Sequence, residues 1–270
     1  MKSASKTSSG GKRGAHVPRR RFAQHFLHDP GILARLVEAI APSGSDEIVE
    51  IGPGEGVLTR ALLARVPHLT AIEIDRDLAA RLSAEFPPDR LTVVCADALE
   101  FDFGALAPGV RVVGNLPYNI STPILFRLAP LADRVRDLHF MLQLEVVERM
   151  VAKPSTRAYG RLSVMLQTRF RMQKLFRVPR GAFRPPPRVE SAVVRMVPLQ
   201  APVPCEDARF EEIVRRAFSA RRKTLRNALP LLPGDYAALD IDPKLRPENL
   251  SPEDYVRIAQ RLPRVRQGSI

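Results

Sequence analysis

Glu47-Ile48-Val49-Glu50-Ile51-Gly52-Pro53-Gly54-Glu55-Gly56-Val57-Leu58-Thr59-Arg60-Ala61-Leu62-Leu63 is the stretch that decides the fold. Its first five residues read as a short, largely apolar strand. Three glycines at alternate positions follow, and then apolar residues at helical spacing. A strand that passes through a glycine loop directly into a helix brings bare backbone up to a ligand at the helix N-terminus. Two more strands fit the same plan: residues 69–75 (LTAIEID) and 91–97 (LTVVCAD), each ending in an acid. Strand carboxyl ends form the ligand crevice of an open α/β sheet.

The spacing points to an adenosine-containing ligand. Glu73 lies 21 residues after Gly52, close to the ~20 expected of a carboxylate that holds ribose hydroxyls. The loop itself reads G-x-G-x-G, with Val57 where a dinucleotide fingerprint has its last glycine. No base lies in the loop, and Glu50 and Glu55 flank it. Acids disfavour a pyrophosphate and suit a cation. S-adenosylmethionine carries both an ammonium and a sulfonium, so it fits better than a nicotinamide dinucleotide.

Downstream, the apolar run 110–113 (VRVV) reads as another buried strand and leads into Gly114-Asn115-Leu116-Pro117-Tyr118. This stretch suits chemistry on a planar amine. The lone pair of an exocyclic adenine amine is delocalised into the ring. Acceptors that draw its N–H bonds out of plane localise that lone pair. Asn115 offers a side-chain oxygen, Leu116 a backbone carbonyl presented by the rigid Pro117, and Tyr118 a ring to stack on the base. Asn has no titratable proton, so no general base is expected. Ser121-Thr122-Pro123 is expected to cap the next helix, and residues 161–170 to be helical.

The whole chain has 270 residues, 45% of them hydrophobic, enough for a large domain and a small one. The expected division is a basic disordered tail at 1–18, an α/β domain at 19–200 and a helical domain at 205–265. Two cysteines form no metal-ligand or CxxC pattern, and no apolar run reaches membrane-span length, so a reduced, cytoplasmic protein without metal or membrane contact is expected. The net charge of +13 is unevenly spread. Residues 22–115 hold fourteen acids and seven bases, and the remainder after them fifteen acids and twenty-eight bases. An acidic half followed by a basic one fits a cationic ligand in the first and a polyanion, nucleic acid, on the second. Within the basic part, Phe183-Arg184-Pro185-Pro186-Pro187-Arg188 places an aromatic residue in a polyproline segment between bases, which reads as an exposed stacking ring beside phosphate contacts. Residues 220–227, with Arg221, Arg222 and Lys223, read as a basic helical face for phosphates.

With these residues in hand, the chain resembles the ribosomal RNA adenine N6,N6-dimethyltransferase family, closest to its small-subunit (16S) members. The resemblance runs from about residue 21 to 262 and rests on seven motifs in order: QHFLHDP (24–30), VEIGPGEGVLT (49–59), AIEIDRDL (71–78), ADAL (96–99), GNLPYNIST (114–122), FRPPPRVESAVVR (183–195) and RRKTLRNAL (221–229). It implies a Rossmann-like class I methyltransferase sheet with a small all-helical C-terminal domain. His25 and Leu27 would touch S-adenosylmethionine, Gly52 would line it, Glu73 would bind its ribose and Asp97 its adenine. Asn115 would serve cofactor and target amine, and Tyr118 and Phe183 would sandwich a flipped base. Many members have Asn where this chain has His25. The implied substrate is two adjacent adenosines in a hairpin loop near the 3′ end of small-subunit rRNA, in a pre-assembled 30S particle, with the enzyme acting as a monomer in ribosome biogenesis. Two rivals stay open: a macrolide-resistance type methyltransferase of large-subunit rRNA, and a non-enzymatic assembly factor that kept the fold.

Overall fold

Strands that are buried on both faces have to be apolar almost throughout, and the runs ending in glycine or acid meet that demand. The computed structural model describes residues 24–200, 207–229 and 231–261. The tail expected at 1–18, residues 19–23 and 201–204, and the last residues of the expected helical domain lie outside them. In chain order the elements are β1 (Phe26–Leu27), α1 (Pro30–Ile40), β2 (Ile48–Ile51), α2 (Val57–Leu63), β3 (Leu69–Glu73), α3 (Arg76–Glu85), β4 (Leu91–Cys95), β5 (Val110–Asn115), α4 (Ser121–Leu128), β6 (Val135–Gln143), α5 (Leu144–Met150), α6 (Arg161–Gln167), β7 (Phe170–Val178), β8 (Phe183–Arg184), β9 (Ser191–Pro198), α7 (Asp207–Ser219), α8 (Leu225–Ala228), α9 (Pro233–Leu239) and α10 (Pro252–Arg261).

Seven strands form one sheet in the order β4-β3-β2-β5-β6-β9-β7, and β1 pairs with β8 in a separate ribbon. β4, β3, β2, β5 and β6 run parallel, while β9 is antiparallel to both its neighbours. The chain winds outward from β2 to β4 and then returns to β5 on the other side of β2. That reversal is a topological switch point, and it opens a crevice at the carboxyl ends of β2 and β5. Successive residues feed opposite layers, as strand pleating requires. Val112 and Phe140 join the core with Ile124 and Leu125, whereas Val113 and Met141 join the core with Leu36 and Leu62. Gly114 has a steric reason to be glycine: a Cβ there would sit 2.4 Å from the Ile51 carbonyl oxygen of β2.

α1 begins where the sequence places it. The Asp29 carboxylate accepts from the amides of Gly31 (2.8 Å) and Ile32 (3.0 Å), with Pro30 in the first turn. Its other end is held by a residue far away in sequence. Arg111 on β5, 3% exposed, donates to the carbonyls of Ile40 (2.5 Å) and Ala41 (3.3 Å). The same guanidinium makes a two-pronged bond to Asp137 (2.9 Å each) and reaches Asp46 at 2.7 Å. This buried cation therefore compensates the helix C-terminus and two buried acids together.

Three local expectations are corrected. Residues 161–170 are not all helical: α6 stops at Gln167 and Phe170 opens β7. Phe170, Met172, Phe176 and Val178 fall on alternate positions, a strand pattern hidden by the interspersed bases. Ser121 does not cap α4. It is the first helical residue, and its hydroxyl donates to the Tyr118 carbonyl (3.0 Å). Arg221, Arg222 and Lys223 occupy the turn between α7 and α8 rather than a helical face. The C-terminal helices also share a core with the preceding part. Phe210, Val214, Leu225, Tyr236 and Tyr255 pack with Tyr159 and Val164, and the Tyr159 hydroxyl donates to the Leu250 carbonyl (2.9 Å).

Burial alone would push the Asp137 carboxyl up. The His139 imidazole, 3.5 Å away, and the Arg111 fork outweigh that and hold it at about 2. A depressed carboxyl stabilises the fold above its ordinary value of 3.8, and that contribution is lost as pH falls through about 2. Asp137→Asn should remove it and leave Arg111 under-compensated in the interior. Urea denaturation at neutral pH is expected to show a loss of roughly 3–5 kcal/mol, with stability falling less steeply as the solution is acidified.

Candidate active site

The crevice at the switch point is a cavity of about 290 Å³. Each neighbouring strand delivers one functional group to it: Gly52 follows β2, β3 ends in Glu73, β5 in Asn115, and Asp97 follows β4. The N-terminal segment crosses its mouth and adds His25 and Leu27. Leu116 and Tyr118 complete the wall next to Asn115. Every cofactor residue implied by the resemblance thus lines one cavity, together with Leu116 and Tyr118.

The turn from β2 into α2 depends on backbone that other residues rarely adopt. Gly52, Gly54 and Gly56 all have positive φ, and a Cβ on Gly56 would lie 2.6 Å from Leu82. Glu73, 5% exposed, secures this loop from β3. One carboxylate oxygen accepts from the Gly54 amide (3.1 Å) and the other from the Asp75 amide (2.9 Å). Burial pushes its carboxyl up, and those two amides only partly counter it. The Ile74 amide also lowers it, and a carboxylate with about four lone-pair sites still has room for a hydroxyl. Asp97 is partly exposed, and one oxygen accepts from the Leu99 amide (2.8 Å).

Glu50, not among the site residues chosen from sequence, is the most perturbed acid in the cavity. It is 2% exposed and accepts a hydrogen bond from the Thr59 hydroxyl at 2.7 Å. Burial pushes its carboxyl up to about 7, against the Thr59 bond and aided by the charge of Glu73. Its signal in the sequence was a charged residue inside an otherwise apolar strand. With Glu50, Glu55, Glu73 and Asp97 and no Lys or Arg among the described lining residues, the cavity suits a cation.

Asn115 is fixed by one bond. Its Nδ2 donates to the His25 backbone carbonyl at 2.9 Å. A carbonyl only accepts, so the amide nitrogen has to face it. Oδ1 is then left as an acceptor, with no hydrogen bond to the described residues. The Leu116 amide donates to the Met141 carbonyl (3.2 Å) and ties the following turn to β6. Tyr118 is partly buried, and its hydroxyl is hydrogen-bonded to Ser191 Oγ at 2.6 Å. Burial raises its phenol further, so it is neutral.

Phe183 requires a correction. It is not an exposed stacking ring but 2% exposed, inside the core that holds Leu27, Val178 and Val193. Its strand β8 is covered by β1, with Leu27 opposite Phe183 and Phe26 opposite Arg184. Paired with β1, this proline-rich segment turns the ring inward. Arg184 and Arg188 on that segment are exposed, as expected of phosphate contacts. Arg222 and Lys223 are exposed too. Arg221 is committed elsewhere: it bonds Glu248 (2.5 Å) and the Arg157 carbonyl (2.9 Å), which gives it a structural duty.

No group of three or more His, Cys, Asp or Glu able to hold a metal is present among the described residues. No helix among them is long and apolar enough to cross a membrane.

Comparison with known proteins gives concordant results. The family model "Ribosomal RNA adenine dimethylase" matches residues 15–263. Ribosomal RNA small subunit methyltransferase A of Thiobacillus denitrificans is 58% identical over 251 residues, covering 92% of this chain and 98% of the relative. The protein of the same name from Chromobacterium violaceum is 56% identical over 254 residues, covering 92% and 96%. Among solved structures, a dimethyladenosine transferase from Plasmodium falciparum superposes with a TM-score of 0.76 at 26% identity, over 87% of this chain and 96% of that one. The 23S rRNA methyltransferase ErmE does so with a TM-score of 0.68 at 27% identity, over 88% and 99%. The Rossmann-like methyltransferase fold expected from the sequence is the observed one, and the chain belongs to the ribosomal RNA adenine dimethylase family.

Proposed function

We propose that this chain transfers methyl groups from S-adenosylmethionine to N6 of adenosines in small-subunit (16S) rRNA, giving N6,N6-dimethyladenosine. The observation that carries the reading is the fixed amide of Asn115, whose oxygen is left to accept from an amine beside an acid-lined cavity. The relatives that share more than half its residues are named as small-subunit enzymes. In the finer reading the targets are two adjacent adenosines in a hairpin loop near the rRNA 3′ end. The substrate is a pre-assembled 30S particle, and the enzyme works as a cytoplasmic monomer in ribosome maturation.

S-adenosylmethionine supplies an electrophilic methyl group on a sulfonium. The cavity fits such a cation: Glu50 is buried without a basic partner, and a positive charge nearby would favour its ionised form. Glu73 would hold the ribose hydroxyls, Asp97 the adenine and Gly52 the backbone edge, with Leu27 and the backbone of His25, rather than its ring, closing over it. On the target side, Asn115 Oδ1 and the Leu116 carbonyl accept the two amine hydrogens and Tyr118 stacks on the base. None of these groups takes a proton before transfer. The methylated nitrogen is strongly acidic and releases its proton afterwards. Phe183 contributes from below, by anchoring β8. Arg184, Arg188, Arg222 and Lys223 would meet phosphates.

The ErmE likeness favours one second reading, methylation of large-subunit rRNA. Incubation of purified, unmodified small and large subunits with labelled S-adenosylmethionine separates the two. Label is expected in the small-subunit RNA, and label confined to the large subunit would reject the proposal. Asn115→Ala should lower kcat by about 10²- to 10³-fold, with rRNA binding in a filter assay nearly unchanged.

Glu50 gives a signed pH dependence. Its raised carboxyl stabilises the ligand-free fold at low pH, and that stabilisation is lost as pH rises through about 7. Cation binding works in the opposite sense, because it prefers the ionised form. S-adenosylmethionine should therefore bind more tightly as pH rises towards about 7, by at most about tenfold per pH unit, and level off above it. Calorimetry on Glu50→Gln should give a weaker affinity and a flatter profile.

A further inference from the structure

Tyr118 already has a ring beside it. The His25 imidazole lies 5.5 Å from the Tyr118 ring, centroid to centroid, tilted by 34°. Phe183, the ring that the resemblance would place opposite Tyr118, is buried in the core, so it cannot reach a base unless that core opens. Among the described residues His25 is thus the aromatic group that faces Tyr118 across the target side of the cavity.

His25 is also held in that place. Its Nδ1 is 2.8 Å from the Pro185 carbonyl, and since a carbonyl only accepts, Nδ1 carries the hydrogen. Its own carbonyl takes the hydrogen bond from Asn115. The residues that follow it are zipped to the same loop. Phe26 and Leu27 pair with Arg184 and Phe183, and the His28 amide donates to the Ala182 carbonyl (2.9 Å). The ring is anchored from the ribbon side and by the residue that addresses the amine. A flat base between two walls needs about 7 Å, twice the ~3.4 Å rise of stacked bases. The observed pair is about 1.5 Å too close, a closed slot that a small displacement of the ribbon would open.

We propose that His25 contacts the substrate: it forms the wall opposite Tyr118 in the slot for the target adenine. The proposal rests on the methyltransferase reading of the site and deepens it. At this position the chain presents a ring that can stack. The base would enter with Tyr118 on one face and the anchored imidazole on the other, its amine directed at Asn115.

Steady-state kinetics on unmodified small subunits, with S-adenosylmethionine affinity from calorimetry on each protein, test this. For His25→Ala, kcat/KM for the subunit should fall about 5- to 150-fold, the factor that one base–aromatic stack is worth. Its S-adenosylmethionine Kd should stay within about twofold, because alanine keeps the backbone carbonyl that Asn115 holds and loses only the ring. His25→Phe keeps a ring and loses the Pro185 bond, so it should recover most of the loss. Quenching of 2-aminopurine placed at the target adenosine of a reconstituted subunit should be strong for wild type and His25→Phe and weak for His25→Ala. The proposal is overturned if His25→Ala weakens S-adenosylmethionine as much as it weakens the subunit, if His25→Phe fails to recover activity, or if quenching is unchanged in His25→Ala. A wild-type protein that methylates neither subunit would instead reject the methyltransferase reading, and this proposal with it.

Discussion

One hydrogen bond, from Asn115 Nδ2 to the carbonyl of His25, sets the geometry of the site. It gives the amide a single orientation and fastens the N-terminal segment across the crevice. It also needs β5 to end at the right height. Gly114 makes that possible, because any side chain there would strike the Ile51 carbonyl and force β5 away from β2. The Asn115 amide, the N-terminal segment and the switch point of the sheet are therefore coupled through two adjacent residues. A parallel sheet built from βαβ units provides the frame, and the close approach of its two central strands provides the register.

The two ends of the sheet treat charge differently. At the end away from the cavity, Arg111 is surrounded by Asp46, Asp137 and two helix carbonyls, and its donors are all used. That arrangement leaves the guanidinium no donor to offer a ligand. At the cavity end, Glu50 and Glu73 are buried with only neutral partners, a hydroxyl and backbone amides. Buried acids without cations are costly, and burial raises both of them. The strain is tolerable if a positive ligand completes the set. The net +13 of the chain belongs elsewhere, on surfaces such as Arg184, Arg188, Arg222 and Lys223 that face solvent.

Much of this was legible before any coordinates. The strand–glycine–helix passage, the acids ending β3 and following β4, and the Asn115–Tyr118 turn all lie at places fixed by local sequence: strand ends, tight turns and caps. The failures share another cause. Whether Phe183 is exposed depends on β1, more than 150 residues earlier, lying against β8. Arg221 looks free in sequence, and its commitment to Glu248 is a contact between distant turns. β7 was hidden because solvent-facing bases interrupt its alternating apolar positions. Glu50 was visible as an acid beside the loop, but its importance comes from burial, which only packing creates.

The contrast between the acids and Asn115 follows from what each has to face. The methyl donor is a cation, so carboxylates beside it lower its energy. The acceptor amine is neutral, and the group addressing it has two duties at once. Asn115 donates to the His25 carbonyl, and in the proposed function it also accepts from the amine. A carboxylate at this position could not donate, and it would set a negative charge against the carbonyl oxygen that now holds the N-terminal segment in place. A carboxamide has a donor end and an acceptor end on one rigid plane. The use of Asn rather than Asp at the end of β5 is thus dictated by the lid as much as by the amine. In the proposed mechanism such a group suffices, because the nitrogen becomes acidic only once methylated and loses its proton after the transfer.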